Sequence, residues 1–347
     1  MRARITFLVA TLVVAPGLSA QEAKEIPRTP DGRPDLSGMY DTATLTPLER
    51  PVEFGGNLLL RPEEAESIRK KEAARTARLA LPSDGDRDAP PLGGDGSAGN
   101  VGGYNNFWID RGTEAFTLDG KFRTSIIVDP KNGRAPELTP AGAKRRAAWV
   151  SLFGKNTGEA WWLDRPGPGP YDNPEQRPLG ERCLLAFGSS SGPPSLPVLY
   201  NNFKRIVQTE DYVVILVEMV HDARIIPLNR EHAPKKIRKW MGDSVGHWEG
   251  DTLVVDTANF TDKTAFRGAS ENLHVVERFT RVDENRLLCQ LTIDDPETWK
   301  TPWSGEYPWV ATDDAMYEYA CHEANYALAN IIRGARLLEA EALEKKR

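Results

Sequence analysis

Cysteine, histidine and long apolar runs are all scarce in this chain of 347 residues. Three cysteines are too few for a disulfide-dense miniprotein or for a zinc module with four cysteine ligands. None of the five histidines belongs to an H-E-x-x-H or H-x-H pattern, so a zinc site would have to be assembled from separate strands. After residue 20 no run reaches about 18 apolar residues, so no membrane-spanning helix is predicted. The excess of 50 acidic over 44 basic side chains argues against a nucleic-acid partner or an anionic membrane.

The overall composition is that of a globular chain. Hydrophobic residues make up 40% of the sequence and charged residues 27%, and the mean hydropathy is −0.48. These values exclude collagen-like, coiled-coil and wholly disordered chains.

The first twenty residues have the order of segments found in a secretory signal peptide. Arg2 and Arg4 form a basic start, residues 5–15 form an apolar run too short to span a membrane, and Ala20 ends a segment with small residues. We expect cleavage after Ala20 and export to the periplasm or the cell exterior. A buried N-terminal helix is the alternative.

Export would place the cysteines in an oxidising compartment, where they can pair. Cys183 lies in a loop-rich stretch and Cys321 precedes a C-terminal helix, whereas Cys289 lies in a strand-like segment with apolar neighbours. We predict a disulfide between Cys183 and Cys321, with Cys289 free and buried. Three free thiols are the alternative.

The rest of the sequence predicts one body preceded by an arm. Residues 21–60 are rich in proline and turn-forming residues, which favours an extended arm lying over the body rather than a core element. Residues 61–347 are expected to form a single β-rich domain with helices at 62–80 and 322–345 and a short helix capped by Thr139. Residues 82–105 contain seven glycines and three prolines, which favours a mobile loop.

Three pairs of strand-like segments follow, each joined by a short polar turn. They are residues 203–209 with 212–220, 245–249 with 252–257, and 273–282 with 286–293. These spacings predict a mainly β fold, either an antiparallel curled sheet or a calycin-like β-barrel, with peripheral helices and long Pro/Gly-rich loops. We expect residues 203–310 to form most of this body and the C-terminal helix to close one side of it.

Several short segments carry a family resemblance. LSGMY at 36–40 and GHW at 246–248 resemble the Gly-x-Trp entry of lipocalin-type barrels. Three longer segments are TPDGRPDLSG at 29–38, GHWEGDTLVVDT at 246–257 and YEYACHE at 317–323. With them, the chain resembles a group of secreted bacterial proteins of unassigned function. The resemblance covers most of the chain after residue 20 and implies no particular activity.

The metal signals in the sequence are weak. DGDRD at 84–88 resembles the start of a calcium loop, but Ala89 stands where a glycine is expected. His232 lies in a turn and is expected in solvent, and His274 lies on a strand and is expected to be a structural residue. We expect no cofactor, and zinc and calcium stay open as alternatives.

Two histidines stand where a scaffold could hold them at the mouth of a cavity. His221 ends a predicted strand and is followed by Asp222 and Arg224, so that a histidine could move a proton while an arginine steadies negative charge. His247 follows Gly246, which permits close approach of a backbone or a ligand. We predict His221, Asp222, Arg224 and His247 as catalytic residues. The alternative is that these polar side chains are hydrogen-bonded structural residues inside a barrel.

The predicted disulfide would bring a further group together. It would place Glu181 and Arg182 near His322 and Glu323. Because crowded charges shift pKa values, we predict His322 and Glu323 as catalytic residues and Arg182 as a substrate-binding residue. A structural ion-pair cluster would have the same composition and is the alternative.

Aromatic residues occur in Pro/Gly-rich stretches where no core is evident. Tyr200, Trp303 and Tyr307 are predicted to bind substrate, because aromatic walls suit flat apolar or aromatic ligands. The alternative is that these aromatics anchor irregular loops onto the barrel.

Two functions from different classes follow. The first is a secreted enzyme that performs acid–base hydrolysis or elimination on a small, partly apolar or aromatic molecule in a β-barrel cavity. The second is a non-catalytic carrier barrel, in which the same polar groups only orient a ligand. Both predict a small-molecule partner, no nucleic acid and no stable membrane insertion, and neither predicts an oligomeric state.

Overall fold

A computed structural model describes residues 26–81, 109–152, 157–186, 192–263, 266–323 and 325–347. The predicted signal peptide at 1–20, the predicted mobile loop at 82–105 and the calcium-like segment at 84–88 lie outside these described residues.

The body is a ten-stranded antiparallel sheet that nearly closes into a barrel, and a separate two-stranded sheet accompanies it. The strands are β1 (Gly38–Asp41), β2 (Thr117–Leu118), β3 (Lys121–Phe122), β4 (Ile127–Asp129), β5 (Phe203–Gln208), β6 (Tyr212–Val217), β7 (Ala223–Pro227), β8 (Asp243–Glu249), β9 (Thr252–Ala258), β10 (His274–Asp283), β11 (Arg286–Asp294) and β12 (Trp303–Ala311). Their order in the large sheet is β7-β6-β5-β1-β12-β11-β10-β9-β8, with β4 also paired to β12, and β2 pairs with β3. The predicted fold class and all three predicted hairpins are confirmed.

The two end strands of the sheet meet at a seam. Leu228, directly after β7, forms a parallel bridge with Gly246 of β8, and the amide of Asn229 donates to the carbonyl of Gly246 at 2.7 Å. A Cβ on Gly246 would lie 2.9 Å from the Leu228 side chain and 3.0 Å from that of Ile226. The absence of a side chain at Gly246 therefore lets the seam close, as the sequence predicted.

Strand alternation places the core inside the curled sheet. Leu287, Cys289, Leu291 and Ile293 of β11 are all buried, in the predicted alternation. Cys289 is a free, buried thiol, as predicted, and burial raises its pKa well above the ordinary value.

The N-terminal arm contributes to the core, which corrects the prediction that residues 21–60 only lie over the body. Strand β1 is hydrogen-bonded between β5 and β12, and Leu36 and Tyr40 are fully buried. The sequence concealed this strand because it is only four residues long and follows a proline-rich turn.

Within the described ranges, three α-helices lie outside the sheet: α1 (Pro62–Leu79), α2 (Pro140–Ser151) and α3 (Tyr326–Lys345). None of the helices in the described residues is long and apolar enough to cross a membrane. Helix α3 was predicted to close one side of the barrel, and this is wrong. Its buried Ala335 packs with Ala160 and Trp162, and the Trp162 indole donates to Glu339 at 2.6 Å.

The predicted disulfide between Cys183 and Cys321 is present, with the two Cα atoms 5.7 Å apart. It ties the segment before α3 to the Pro/Gly-rich stretch. Asn325 then caps α3 by accepting from the amide of Leu328, so the helix begins after the disulfide rather than at the predicted residue 322.

Candidate functional site

The interior of the barrel contains a packed polar cluster. Arg224 of β7 forms an ion pair with Glu277 of β10 at 2.7 Å, and both side chains are almost wholly buried. Glu277 also accepts from the amide of Ser195 at 2.9 Å, and the Tyr307 hydroxyl donates to the Ser195 carbonyl at 2.6 Å. The structure thus brings together the predicted residues Arg224 and Tyr307, but they bind protein groups of this cluster.

The other predicted aromatic residues lie in the packed core. Tyr200 and Trp303 are buried, and the Trp303 ring lies 5.8 Å from Trp299 and 6.2 Å from Phe266, measured between centroids. These rings anchor irregular segments onto the sheet. The predicted role of Tyr200 and Trp303 in binding a substrate stays a prediction.

Of the two predicted catalytic histidines, His247 is not gathered with Arg224, and the side chain of His221 lies outside the described part of the structure. The predicted strand at 212–220 ends at Val217, and the backbone of His221 lies in a short 3-10 turn after it. His247 lies on the outer face of β8, where its side chain is 48% exposed and contacts Glu249 at 3.1 Å. Arg278 also binds Glu249, at 2.6 Å, so His247 belongs to a surface charge cluster.

The disulfide joins the two segments that carry the predicted acid–base residues. Arg182 pairs with Glu175 at 3.3 Å, and Glu181 pairs with Arg177 at 2.8 Å. His322 and Glu323 are exposed. The charges near Cys183 thus pair within their own stretch of chain, and the catalytic role of His322 and Glu323 stays a prediction.

A small cavity at the seam does collect two of the predicted residues. This seam cleft has a volume of about 420 Å³ and is lined by Leu184, Leu185, Asp222, Ala223, Arg224, Ile225, Lys239, Trp240, Met241, Gly242 and Ser244. The guanidinium of Arg182 lies 6.0 Å from the centroid of the Trp240 ring, so Arg182 borders the same region. Asp222 and Arg224 are thus brought together, with Arg182 close by.

A larger cleft lies elsewhere, between the N-terminal arm, α1 and α2. This arm cleft has a volume of about 920 Å³. Its lining residues are Thr44, Leu45, Thr46, Pro47, Leu48, Ile68, Lys71, Glu72, Arg75, Arg111, Ile126, Arg146, Trp149, Leu196, Pro197, Val198, Leu199, Phe266 and Arg267. Sequence reasoning missed this site, since its walls come from seven separate segments.

Helical spacing explains how α1 contributes to the arm cleft. Ile68, Lys71, Glu72 and Arg75 stand at positions i, i+3, i+4 and i+7, so they share one face of the helix. The same spacing was visible in the sequence. That spacing could have identified a mixed apolar and charged face on α1, but not the surface against which this face packs.

Helix α2 presents Arg146 and Trp149 from the opposite wall. Thr139 caps the helix by accepting from the amide of Gly142 at 3.0 Å. Arg145 then fixes it to the body by donating to the carbonyls of Gly268 and Glu297, both at 2.9 Å. The positions of the lining residues on α2 are therefore set by a rigid attachment.

The arm cleft carries an excess of positive charge. Five of its lining residues are basic and only Glu72 is acidic. Arg75 pairs with Glu72 at 2.5 Å, and Arg267 pairs with Glu49. Lys71, Arg111 and Arg146 form no ion pair with any residue in the described part of the chain.

The pKa of Arg267 is affected by a neighbouring positive charge in the arm cleft. Burial lowers the pKa of its guanidinium, the carboxylate of Glu49 opposes that effect, and the neighbouring cation Arg146 adds to it. Two like charges beside an apolar cavity favour an anion between or beside them.

A second feature missed by the sequence is a histidine–aspartate network on the outer face of the sheet. Asp256 of β9 contacts His274 at 2.9 Å and His232 at 3.0 Å, and His232 also contacts Asp243 at 3.3 Å. His274 is hydrogen-bonded as predicted, but His232 is not simply solvated. Hydrogen bonding to Asp256 raises the pKa of His274.

No metal-binding group of three or more His, Cys, Asp or Glu side chains occurs among the residues the structure describes.

Comparison with known proteins gives no match: no family model, curated protein or solved structure is similar to the chain. The resemblance to secreted bacterial proteins therefore stays a prediction, and the function is inferred from the geometry of the clefts.

Proposed function

We propose that the protein binds a small amphipathic anion in the arm cleft. The observation that carries this proposal is the combination of five basic residues and one acidic residue with apolar walls around a cavity of about 920 Å³. Ligand pockets are about 300–1,000 Å³, mostly apolar, with a few charged groups that fix orientation.

The apolar and the basic lining residues would contribute to binding in different ways. An alkyl or aromatic body would lie against Leu45, Leu48, Trp149 and Phe266, and burying 100 Å² of apolar surface contributes about 2.5 kcal/mol. Exposed ion pairs contribute only about 0.2–1 kcal/mol each. Apolar contact would therefore supply most of the affinity, and the basic residues would select for a negative charge.

Binding without chemistry agrees better with this geometry than catalysis does. No histidine is found among the described residues that line either cleft, and Arg224 is engaged by Glu277. Acid–base hydrolysis or elimination stays a prediction without a geometric centre to support it.

The test is a comparison of decanoate with decanol, which share a chain and differ in charge. Isothermal titration calorimetry is expected to show decanoate binding more tightly, with an affinity that falls as salt rises. Lys71→Ala should weaken decanoate binding about 2- to 5-fold, the size of one exposed ion pair, and leave decanol unchanged.

The neighbouring residue supplies a matched control. Lys70 lies on the same helix but contacts Glu66 at 3.5 Å and does not line the cleft. Lys70→Ala removes the same charge and should leave decanoate binding unchanged. Equal losses in the two variants, or equal affinities for decanoate and decanol, would contradict the proposal.

We also infer that the protein is exported and that residues 1–20 are removed. The order of basic, apolar and small residues supports this, and the Cys183–Cys321 disulfide suits an oxidising compartment. Mass spectrometry of the exported protein should give a chain beginning at Gln21. A mass that includes Met1 would refute the inference.

A further inference from the structure

The basic residues of the arm cleft fall into two groups, which lie at opposite ends of one lining segment. That segment is residues 44–48 of the N-terminal arm. At its start, a Cβ on Gly112 would lie 2.8 Å from the first amide nitrogen of the segment. At its other end the chain continues to Glu49, which forms an ion pair with Arg267. Arg111 and Arg267 are therefore held at different ends of the segment.

The segment is fixed to the body along its length. The amide of Leu45 donates to the carbonyl of Glu114 at 2.9 Å, and the carbonyl of Leu48 accepts from the amide of Ile127 at 3.0 Å. A chain covers at most about 3.6 Å per residue, so the five residue steps between the two ends span at most about 18 Å. This is the length scale of decanedioate, a ten-carbon diacid.

The first basic group consists of Lys71 and Arg75 of α1 together with Arg111. Glu72 lines the cleft beside them. Hydrogen bonding from Arg75 lowers the pKa of Glu72, and the charge of Arg111 also lowers it. Arg111 therefore lies beside this face of the helix, and three cations surround one carboxylate.

The second basic group joins α2 to Arg267. A Cβ on Gly268 would lie 3.0 Å from the Cβ of Arg146, so Arg146 and Arg267 are neighbours. Arg267 pairs with Glu49, but that carboxylate also contacts Arg134 at 3.7 Å. Three cations share one carboxylate here too, so each group has an excess of positive charge.

Between the two groups the lining is mostly apolar. Leu45, Pro47 and Leu48 contribute from the arm, and residues 196–199 contribute from the body. A carboxylate in this middle part would lose hydration without gaining a partner, whereas an alkyl chain gains by leaving water. The lining therefore distinguishes the middle of a ligand from its two ends.

We propose that the ligand of the arm cleft is an α,ω-dicarboxylate, which has a carboxylate at each end of an apolar chain. This inference rests on the proposed function, because it names a ligand class for the same cleft. One carboxylate lies against Lys71 and Arg111, and the other lies against Arg146 and Arg267. The N–H donors of a guanidinium match the two oxygens of a carboxylate, which favours this pairing at both ends.

The experiment compares decanedioate with its monomethyl ester by calorimetry at about pH 7.5, where the free carboxyl groups are ionised. The two ligands share a chain and differ in whether the second end is charged. Decanedioate should bind about 2- to 5-fold more tightly, the size of one exposed ion pair. The difference should shrink as salt rises. Equal affinities, or tighter binding of the ester, overturn the proposal.

Butanedioate and its monomethyl ester control for a general attraction of dianions to a basic cleft. The two carboxylates of butanedioate are separated by only two methylene groups, so they cannot reach both basic groups at once. Its preference over its own ester should therefore be smaller than that of decanedioate. An equal preference in the short and long pairs overturns the two-ended arrangement.

Two variants of α2 locate the second end. Arg146→Gln should bring the affinities of decanedioate and its ester closer together by about 2-fold or more, because it removes one charge of the second group. Lys144 is exposed on the same helix and does not line the cleft, so Lys144→Gln should keep the preference. Circular dichroism verifies that both variants are folded. An unchanged preference in Arg146→Gln, or an equal loss in Lys144→Gln, overturns the assignment.

The failure of this inference differs from the failure of the proposed function. If decanoate binds more tightly than decanol but decanedioate does not exceed its ester, the cleft holds a single anion and only the dicarboxylate assignment is overturned. If decanoate and decanol bind equally, the proposed function is contradicted and this inference falls with it.

Discussion

At Gly142, the first turn of α2 passes so close to residue 298 that a side chain has no room. A Cβ at this position would lie 2.5 Å from the carbonyl oxygen of Thr298 and 2.9 Å from its Cα. Both are backbone atoms, which cannot rotate away as the end of a side chain can. The glycine thus sets the distance at which α2 holds Arg146 and Trp149 over the arm cleft.

Gly142→Ala is therefore expected to destabilise the protein by about 1–3 kcal/mol through overpacking. It should also weaken decanoate binding, because α2 must move. Gly334→Ala is the control, since that glycine lies in α3 with nothing within 4 Å of its added Cβ. The control should be neutral or stabilising by up to about 1 kcal/mol. Urea denaturation of both variants measures the difference, and similar midpoints would contradict the close contact.

At the scale of elements, the histidine–aspartate network links three parts of the outer face. Asp256 lies on β9, His274 on β10, and His232 on the segment between β7 and β8. That segment continues to Lys239, Trp240 and Met241, which line the seam cleft. The network therefore helps to hold one wall of that cleft in place.

The pH dependence of this network follows from two opposite pKa shifts. The pKa of His274 is raised by Asp256, so its contribution to stability is complete below the ordinary histidine value of about 6.5 and is lost as pH rises through the folded pKa. Burial alone would raise the pKa of Asp256, but hydrogen bonds from His274 and His232 lower it, and the net pKa lies below the ordinary value. Its contribution is present above about pH 4 and is lost as pH falls further.

His274→Gln should accordingly reduce the change in melting temperature between about pH 5.5 and 8. His247→Gln is the control, because His247 lies in a different surface cluster. Thermal melts across that pH range compare the two variants with the unchanged protein. A pH dependence unaltered by His274→Gln would show that the contact with Asp256 does not contribute.

At the scale of the whole molecule, local patterns were predictable and long-range assembly was not. The hairpin that pairs β10 with β11 was visible because Leu287, Cys289 and Leu291 alternate over a few residues. The insertion of β1 between β5 and β12 depends on partners far away in sequence, such as Tyr40 with Lys204 and Ala311. The arm cleft is lined by seven segments that are far apart in sequence, so composition and spacing alone could not reveal it.

The disulfide was the one long-range contact that the sequence did predict, because only two of the three cysteines lay outside a strand. Replacing both Cys183 and Cys321 with serine should lower the free energy of unfolding by about 2–4 kcal/mol. Dithiothreitol should lower the melting temperature of the unchanged protein and have no further effect on the double variant. An unchanged protein insensitive to dithiothreitol would contradict a stabilising bond.

The placement of β1 has a consequence for the order of folding. β1, the first strand of the sheet in chain order, needs the much later strand β12 to complete its ladder of hydrogen bonds. Closing so long a loop carries an entropic cost before any contact offsets it, and folds dominated by such contacts form slowly. The hairpins can form early, but the curled sheet is completed only after synthesis has passed residue 311. A chain emerging from the ribosome therefore leaves the middle of its sheet, between β5 and β12, unfilled until late in synthesis.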